Sequence, residues 1–387
     1  MNRRKTAILL LLTFLCSFTL CGCWNYRDIE KYAIVSGFAI DKSEDGKRYF
    51  LTIELIDFET SGKEAKQVPK HVHSEGTTVF DAVRNIINET GRRLYWGHAN
   101  LLIIGEDMAK EGIARILDFV LRDAEMREEM YVLVCADGSA KELFEHKMLI
   151  SLSGADTFVN MIKNQKSLGK APASQAYKIV DKLEEDGECI ILPTIHEVES
   201  DGKEVAILVG TAVFKSDRLI GFLSPDETKY LLFAKNEFKT GLITLNEQPE
   251  SNSANTMTLE VYTSHSKIKP IYSKNKLRMN VEIKTEVAIG EVETHIDYMS
   301  KKQLDKIERD AEQKVREYTT NVIKKIQNEY DTDILGFGKM LKADMPGVWR
   351  RSSRDWDEIF KSLEVNVKVD ITLRNSALVS KAIKKKG

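Results

Sequence analysis

The chain has 387 residues, is 42% hydrophobic and 30% charged, and carries a formal net charge of −2. That is the composition of a well-cored protein of two or three domains, and its balanced charge gives no footing for a nucleic-acid binder. Five cysteines in this length do not make a disulfide scaffold.

Arg3, Arg4 and Lys5 open the chain with positive charge, and residues 7–20 form an apolar run broken only by Thr13, Ser17 and Thr19. At a rise of about 1.5 Å per residue this run is short for a bilayer and reads as a secretory signal peptide. Leu20-Cys21-Gly22-Cys23 then forms a lipobox, with small Gly22 just before the cysteine to be modified. Cys21 is the poorer candidate, because Leu20 sits where the peptidase requires a small side chain. The mature chain is therefore expected to begin at Cys23, with a diacylglycerol thioether and further acylation such as palmitate. At ~0.8 kcal/mol per buried CH₂, two or more acyl chains hold a protein stably on a membrane. An ordinary signal peptide or an N-terminal anchor helix are the blander alternatives. Cys135 and Cys189, the cysteines left downstream, sit in apolar runs as buried thiols or as a single disulfide pair.

Residues 32–40 and 49–56 read as two strands of a hairpin turning at Asp45-Gly46. Asp41, Ser43, Asp45 and Gly46 imitate a calcium loop, but Thr52 stands where a bidentate glutamate is needed. Residues 77–90 have helical period, with Val79, Phe80, Val83, Ile86 and Ile87 on one face. A buried strand at 101–104, a helix at 113–121 built on Ile116, Leu117 and Val120, and a strand at 131–135 follow. Residues 138–163 read as helical and 164–173 as a polar loop. Strands at 206–214 and 219–223 join through a tight turn, and Ser224-Pro225-Asp226 caps the next helix. Residues 246–255 are polar and read as an exposed loop.

The last third alternates cleanly. Leu277, Met279, Val281 and Ile283 form one strand, and Val365, Val367, Val369, Ile371 and Leu373 form another. Between them Leu304, Ile307, Ala311, Val315, Tyr318, Val322 and Ile326 recur at helical steps, the stripe of one long amphipathic helix. The fold class is α+β and multi-domain, with mixed sheets covered by helices and a long helix packed on the C-terminal sheet. The expected division is a signal peptide at 1–22, an N-terminal α+β region at 23–205 and a C-terminal α+β domain at 206–387. Lys381, Lys384, Lys385 and Lys386 form a basic tail, a solvated end or a weak contact for anionic lipid.

Chemistry is scarce. The sequence holds no P-loop, nucleophile elbow, H-E-x-x-H or C-x-x-C, and Gly336-Phe337-Gly338 lacks a dinucleotide site's third glycine. His71 and His73 have the spacing of a strand-borne metal pair but no further ligand at usual spacing, and His98 reads as a structural residue. No catalytic, cofactor or metal residue is predicted; the one assigned site is lipid attachment at Cys23.

Against this background the chain resembles the Ger(x)C family, the lipoprotein C subunits of bacterial spore germinant receptors. The resemblance begins at Gly22-Cys23-Trp24-Asn25 and runs through Ala33-Ile34-Val35, Gly37 and Ile40-Asp41. It continues through Gly76-Thr77-Thr78, Trp96-Gly97-His98, Arg122-Asp123 with Arg127, and Gly210-Thr211-Ala212-Val213-Phe214-Lys215 with Leu219 and Gly221. Asp333, Gly336-Phe337-Gly338, Pro346, Trp349, Trp356 and Phe360 repeat the family's closing pattern. Asn25 replaces the usual aspartate, and Arg374-Asn375-Ser376 lacks the usual glycine. The resemblance implies a non-enzymatic subunit on the outer face of the spore inner membrane, with no cofactor. Its implied partners are two integral membrane subunits, one transporter-like, in a nutrient-sensing complex. A solute-binding lipoprotein of an ABC-type uptake system is the alternative, and a tethered hydrolase ranks behind it.

Overall fold

A computed structural model describes residues 5–8, 31–44, 49–61, 64–145, 153–185, 187, 189–246, 256–293 and 300–374. Cys23, the Asp45-Gly46 turn, residues 247–255 and the C-terminal lysines lie outside the described residues.

Two sheets carry the fold. Strands β1 (Tyr32–Lys42), β2 (Tyr49–Ser61) and β3 (Glu64–Gly76) form an antiparallel meander, so the expected hairpin is present and extends by a third strand. Helix α1 (Val79–Thr90) leads to β4 (Arg93–Tyr95) and β5 (Leu101–Gly105), both parallel to β1. Helices α2 (Glu106–Glu111) and α3 (Ala114–Arg122) precede β6 (Tyr131–Cys135). Helices α4 (Ala140–Glu145), α5 (Gly154–Leu168) and α6 (Ala176–Glu184) follow, then β7 (Ile191–Ser200), β8 (Lys203–Lys215) and β9 (Arg218–Leu223). The strand order is β3-β2-β1-β5-β6-β7-β8-β9, with β4 beside β1. Its middle, β1-β5-β6-β7, is parallel and its flanks antiparallel.

A parallel strand covered on both faces should be apolar throughout, and all five residues of β5 are buried. Side-chain alternation sorts the core. Phe38, Leu102, Ile104, Val132 and Val134 pack with residues of α1, α2, α3 and α6 on one face. Ala39, Leu101, Ile103, Leu133 and Cys135 pack with residues of α4 and α5 on the other. Helix α5 runs through Leu168, so the first half of the stretch expected as a loop is helix. Its polar residues lie mostly on the solvent side, and Gly169 ends it at φ 63°. Gln165, inside that stretch, is buried and donates to Leu208 O at 3.0 Å. Gly210 has φ +93°, and a Cβ there would stand 2.8 Å from Thr194 Oγ1, so only glycine fits.

Ser224 opens α7 (Pro225–Ala234) with a complete capping box to Glu227. The second sheet has the order β10 (Gly241–Asn246), β11 (Thr256–Ser273), β12 (Lys276–Glu293) and β13 (Glu364–Leu373). Strands β12 and β13 are parallel, joined through α8 (Lys301–Lys325), a π-turn at Ile326–Tyr330, α9 (Phe337–Asp344), α10 (Pro346–Ser352) and α11 (Trp356–Ser362). Met279, Val281 and Ile283 of β12 and Val367, Val369 and Ile371 of β13 are buried, as their alternation requires. The stripe of α8 buries Ile307, Ala311, Val315 and Val322, but Thr319 and Ile323 are buried where Tyr318 stays 43% exposed. A 3.6-residue turn rotates the stripe past position 318, and the Tyr318 ring instead meets Tyr230 at 4.9 Å. The core of this second unit also takes in Ile191, Val213 and Leu223 from the first sheet. No helix of the described residues is long and apolar enough to cross a membrane.

Candidate functional site

Two places gather the residues singled out from sequence. The first is a groove between α1 and α3. Thr78 caps α1 by accepting Asp81 N at 3.1 Å, and Asp81 in turn accepts Thr77 N at 3.0 Å. Trp96, 2% exposed, stands edge-on to Phe38 at 5.1 Å and to Phe119 at 6.4 Å. Phe80 is 49% exposed, with its ring 6.2 Å from Phe119 and the Arg84 guanidinium 4.9 Å above it. Cavities of about 740 Å³ and about 210 Å³ flank it, and Phe80 and Asp123 line both. Thr77, Thr78, Arg122 and Asp123 line one or both, and Trp96 lines the smaller, so three of the singled-out blocks converge here. Arg122 Nε meets Asp118 at 2.7 Å, while Asp123 Oδ1 accepts Glu125 N at 2.9 Å. His98 and Arg127 are exposed. An apolar slot with a charged rim suits docking of a side chain or small ligand.

The second place is a seam around Asp333. This carboxylate, 2% exposed, accepts Phe337 N at 3.1 Å, Gly338 N at 2.7 Å and Trp356 Nε1 at 3.1 Å. Burial pushes its pKa up, against the pull of those donors and of Lys235. Trp349 and Trp356 lie on separate helices, and their rings meet edge-on at 5.3 Å. A Cβ on Gly338 would lie 2.9 Å from Gly187 Cα and 3.0 Å from Trp349, so the absent side chain lets the segment before β7 close on α9. Lys339 N donates to Gly187 O at 3.1 Å, and Thr332 Oγ1 lies 2.9 Å from Cys189 Sγ. The seam joins the second unit to the first.

Two other carboxylates hold helix starts: Glu54, which sequence reasoning missed, and half-buried Asp41, which it named only as part of a calcium-loop mimic and of the family pattern. Glu54, 1% exposed, accepts Ser36 Oγ at 2.6 Å, Ser153 Oγ at 2.8 Å and Gly154 N at 2.7 Å, so it caps α5 from β2. Burial raises its pKa, but contacts with His71, Ser36, Ser153 and Gly154 outweigh it and leave the pKa below the usual carboxylate range. Asp41 caps α4 in the same way, accepting Ala140 N and Lys141 N at 2.9 Å. The available signal was an acidic residue within each β-rich run, which solvation explained as well.

The two histidines face different neighbours. His71 Nε2 lies 3.5 Å from Glu54, and His73 Nδ1 lies 3.2 Å from Thr52 with its ring stacked on Phe50. Among the described residues no group of three or more His, Cys, Asp or Glu is arranged to hold a metal ion. Cys135 and Cys189 are both free thiols, and burial pushes Cys135 up to about 12, so it is a poor nucleophile at neutral pH.

Comparison with known proteins agrees with this architecture. Residues 25–197 match the family profile described as "Spore germination protein N-terminal domain", and residues 209–377 match "Spore germination B3/ GerAC like, C-terminal". Spore germination protein B3 of Bacillus subtilis (strain 168) is 25% identical over 97% of this chain and 100% of its own length. Spore germination protein KC of the same organism is 25% identical over 98% of both chains. The crystal structure of the GerBC protein superposes with a TM-score of 0.55 over 88% of this chain and 97% of its own, at 23% identity, and so shares the fold. With both profiles matched in order across the described fold, the chain belongs to the Ger(x)C family of spore germination proteins, the germinant receptor subunit family.

Proposed function

We propose that this chain is the non-enzymatic, lipid-anchored subunit of a nutrient receptor on the outer face of the spore inner membrane. The observation that carries the reading is the placement of the family match. The N-terminal profile begins at residue 25, two residues past Cys23, and the basic start, apolar run and lipobox precede it. Diacylglycerol on Cys23 holds the protein at the bilayer, and two integral membrane subunits, one transporter-like, are its partners. The carboxylates at helix starts support a scaffold: Glu54, Asp41 and Asp333 are each spent on helix termini or indole hydrogen bonds.

Affinity purification from solubilised spore membranes tests this, with a Cys23→Ala strain beside the parent. The expected result is co-purification of two polytopic proteins, [³H]palmitate incorporation into the parent chain alone, and release of the variant from membranes by salt. A permease with its ATPase in the eluate would replace the reading with solute uptake. A variant that stays on washed membranes would remove the lipid anchor.

A further inference from the structure

We propose that the cleft between α5, α6 and the turn after α7 is a binding site for an anionic ligand with an apolar body. The cleft encloses about 730 Å³, within the size range of small-ligand sites. Buried Ile162, Ile179, Ile191 and Leu232 form an apolar floor. Around it α5 contributes Lys163 and Lys166, α6 contributes Lys178, and the turn contributes Lys239, whose Nζ donates to Asn236 O at 2.7 Å. Residues three or four apart share a helix face, so α5 turns both of its lysines to the same cleft. The carboxylate lining it is Glu237, which also lies 3.8 Å from Lys235 Nζ.

Fifty-seven basic against fifty-nine acidic residues leave the whole chain near neutrality, so this local excess of cations is an arrangement and not a composition. Converging like charges oppose one another, and a low-dielectric floor beneath them focuses their field into the cleft. An anion relieves that opposition. Lysine, a point charge on a flexible stem, suits a phosphate or carboxylate head of varied orientation. The apolar floor would then cover the ligand's hydrocarbon part. The walls are tied together before any ligand arrives: Thr240 Oγ1 donates to Lys166 O at 2.6 Å, and Ser174 Oγ donates to Ile191 O at 2.9 Å. Neither the cleft nor its ligand depends on the lipid at Cys23.

Site-resolved lysine acetylation, read by mass spectrometry on the detergent-solubilised full-length chain, tests the site. The probes are octyl phosphate below its micellar concentration, inorganic phosphate and octyl glucoside. Octyl phosphate should slow acetylation of Lys163, Lys178 and Lys239 about fivefold or more while Lys274 and Lys361 react unchanged. Lys163→Gln with Lys178→Gln, both exposed positions, should raise the concentration that half-protects Lys239 about tenfold. Equal protection by octyl glucoside would overturn the anionic half of the proposal, and equal protection by inorganic phosphate the apolar half. Unprotected or uniformly protected lysines would overturn it entirely. Vesicles then separate the sources. Protection on phosphatidylglycerol vesicles alone assigns the anion to a bilayer lipid. Protection by octyl phosphate on phosphatidylcholine vesicles assigns it to a soluble amphiphile.

Discussion

Glu54 binds more of the first unit together than any residue nominated from sequence. From β2 it reaches Ser36 on β1 and the first turn of α5, where two backbone donors and a serine hydroxyl converge on its oxygens. Hydrogen bonds to a buried carboxylate are worth about 1.5–3 kcal/mol each, and leaving their donors unpaired costs about as much. Glu54→Gln is therefore expected to destabilise the protein by about 3 kcal/mol at pH 7, measured as a shift of the urea midpoint. The pH dependence has a fixed sign. A carboxyl whose folded pKa lies below its ordinary 4.5 stabilises the fold above that value, and loses its contribution as the pH falls through the folded pKa. Wild type should lose stability below about pH 4.5, and the glutamine variant should lose less over the same interval. A variant with an identical acid limb would show that Glu54 does not carry the dependence. Little of this was legible in sequence, because Ser153 and Gly154 lie about a hundred positions from Glu54 along the chain. Asp333, Trp349 and Trp356 were legible as a set through the family pattern alone; nothing in their spacing predicts that Gly187 completes them.

Element by element, periodicity located what has one wet face or two dry ones. β1, β5, β6, β12, β13 and α8 were readable because alternation, an unbroken apolar run or a helical stripe marks each. β3 was not: its sequence EAKQVPKHVHSEG is polar and holds Pro69, as suits a strand at the sheet's edge. β11 was missed because much of its 18-residue length is exposed or half-exposed, so no clean alternation survives. One edge of the second sheet, β13, is protected by a device that no pattern reveals. Glu312 of α8 accepts Ile371 N at 3.2 Å, and Glu308 accepts Leu373 N at 2.8 Å. Carboxylates occupy donors that a passing strand would otherwise take. Replacing both glutamates by alanine should cost about 2 kcal/mol and speed amide exchange at Ile371 and Leu373 at least about tenfold, with exchange at Met279 changing less. Unchanged exchange at those two amides would show that the strand edge is held by packing alone.

At the scale of the molecule, one family profile covers residues 25–197 and another 209–377, and the coupling between the two units is not visible in sequence. Strands β8 and β9 complete the first sheet, yet Val213 and Leu223 on them, with Ile191 on β7, are buried in the core that α8 and the second sheet build. The Asp333 seam makes a second tie across the chain's division, through Gly187 and Gly338. Two units that share core residues lose each other's contacts when either opens, so they should unfold in one cooperative step. Leu223, 2% exposed, is the residue that tests this. Leu223→Ala removes a buried side chain and leaves a cavity, at a cost of about 3 kcal/mol. If the units are coupled, hydrogen exchange followed by mass spectrometry should show the loss equally in peptides covering β5 and β12, although neither strand carries the substitution. If the β5 peptides loosen while β12 keeps its protection, the shared core is a contact without cooperativity. A receptor subunit of this build would then transmit changes at one unit to the other by rearranging its seam. A single transition means that the two units move as one body.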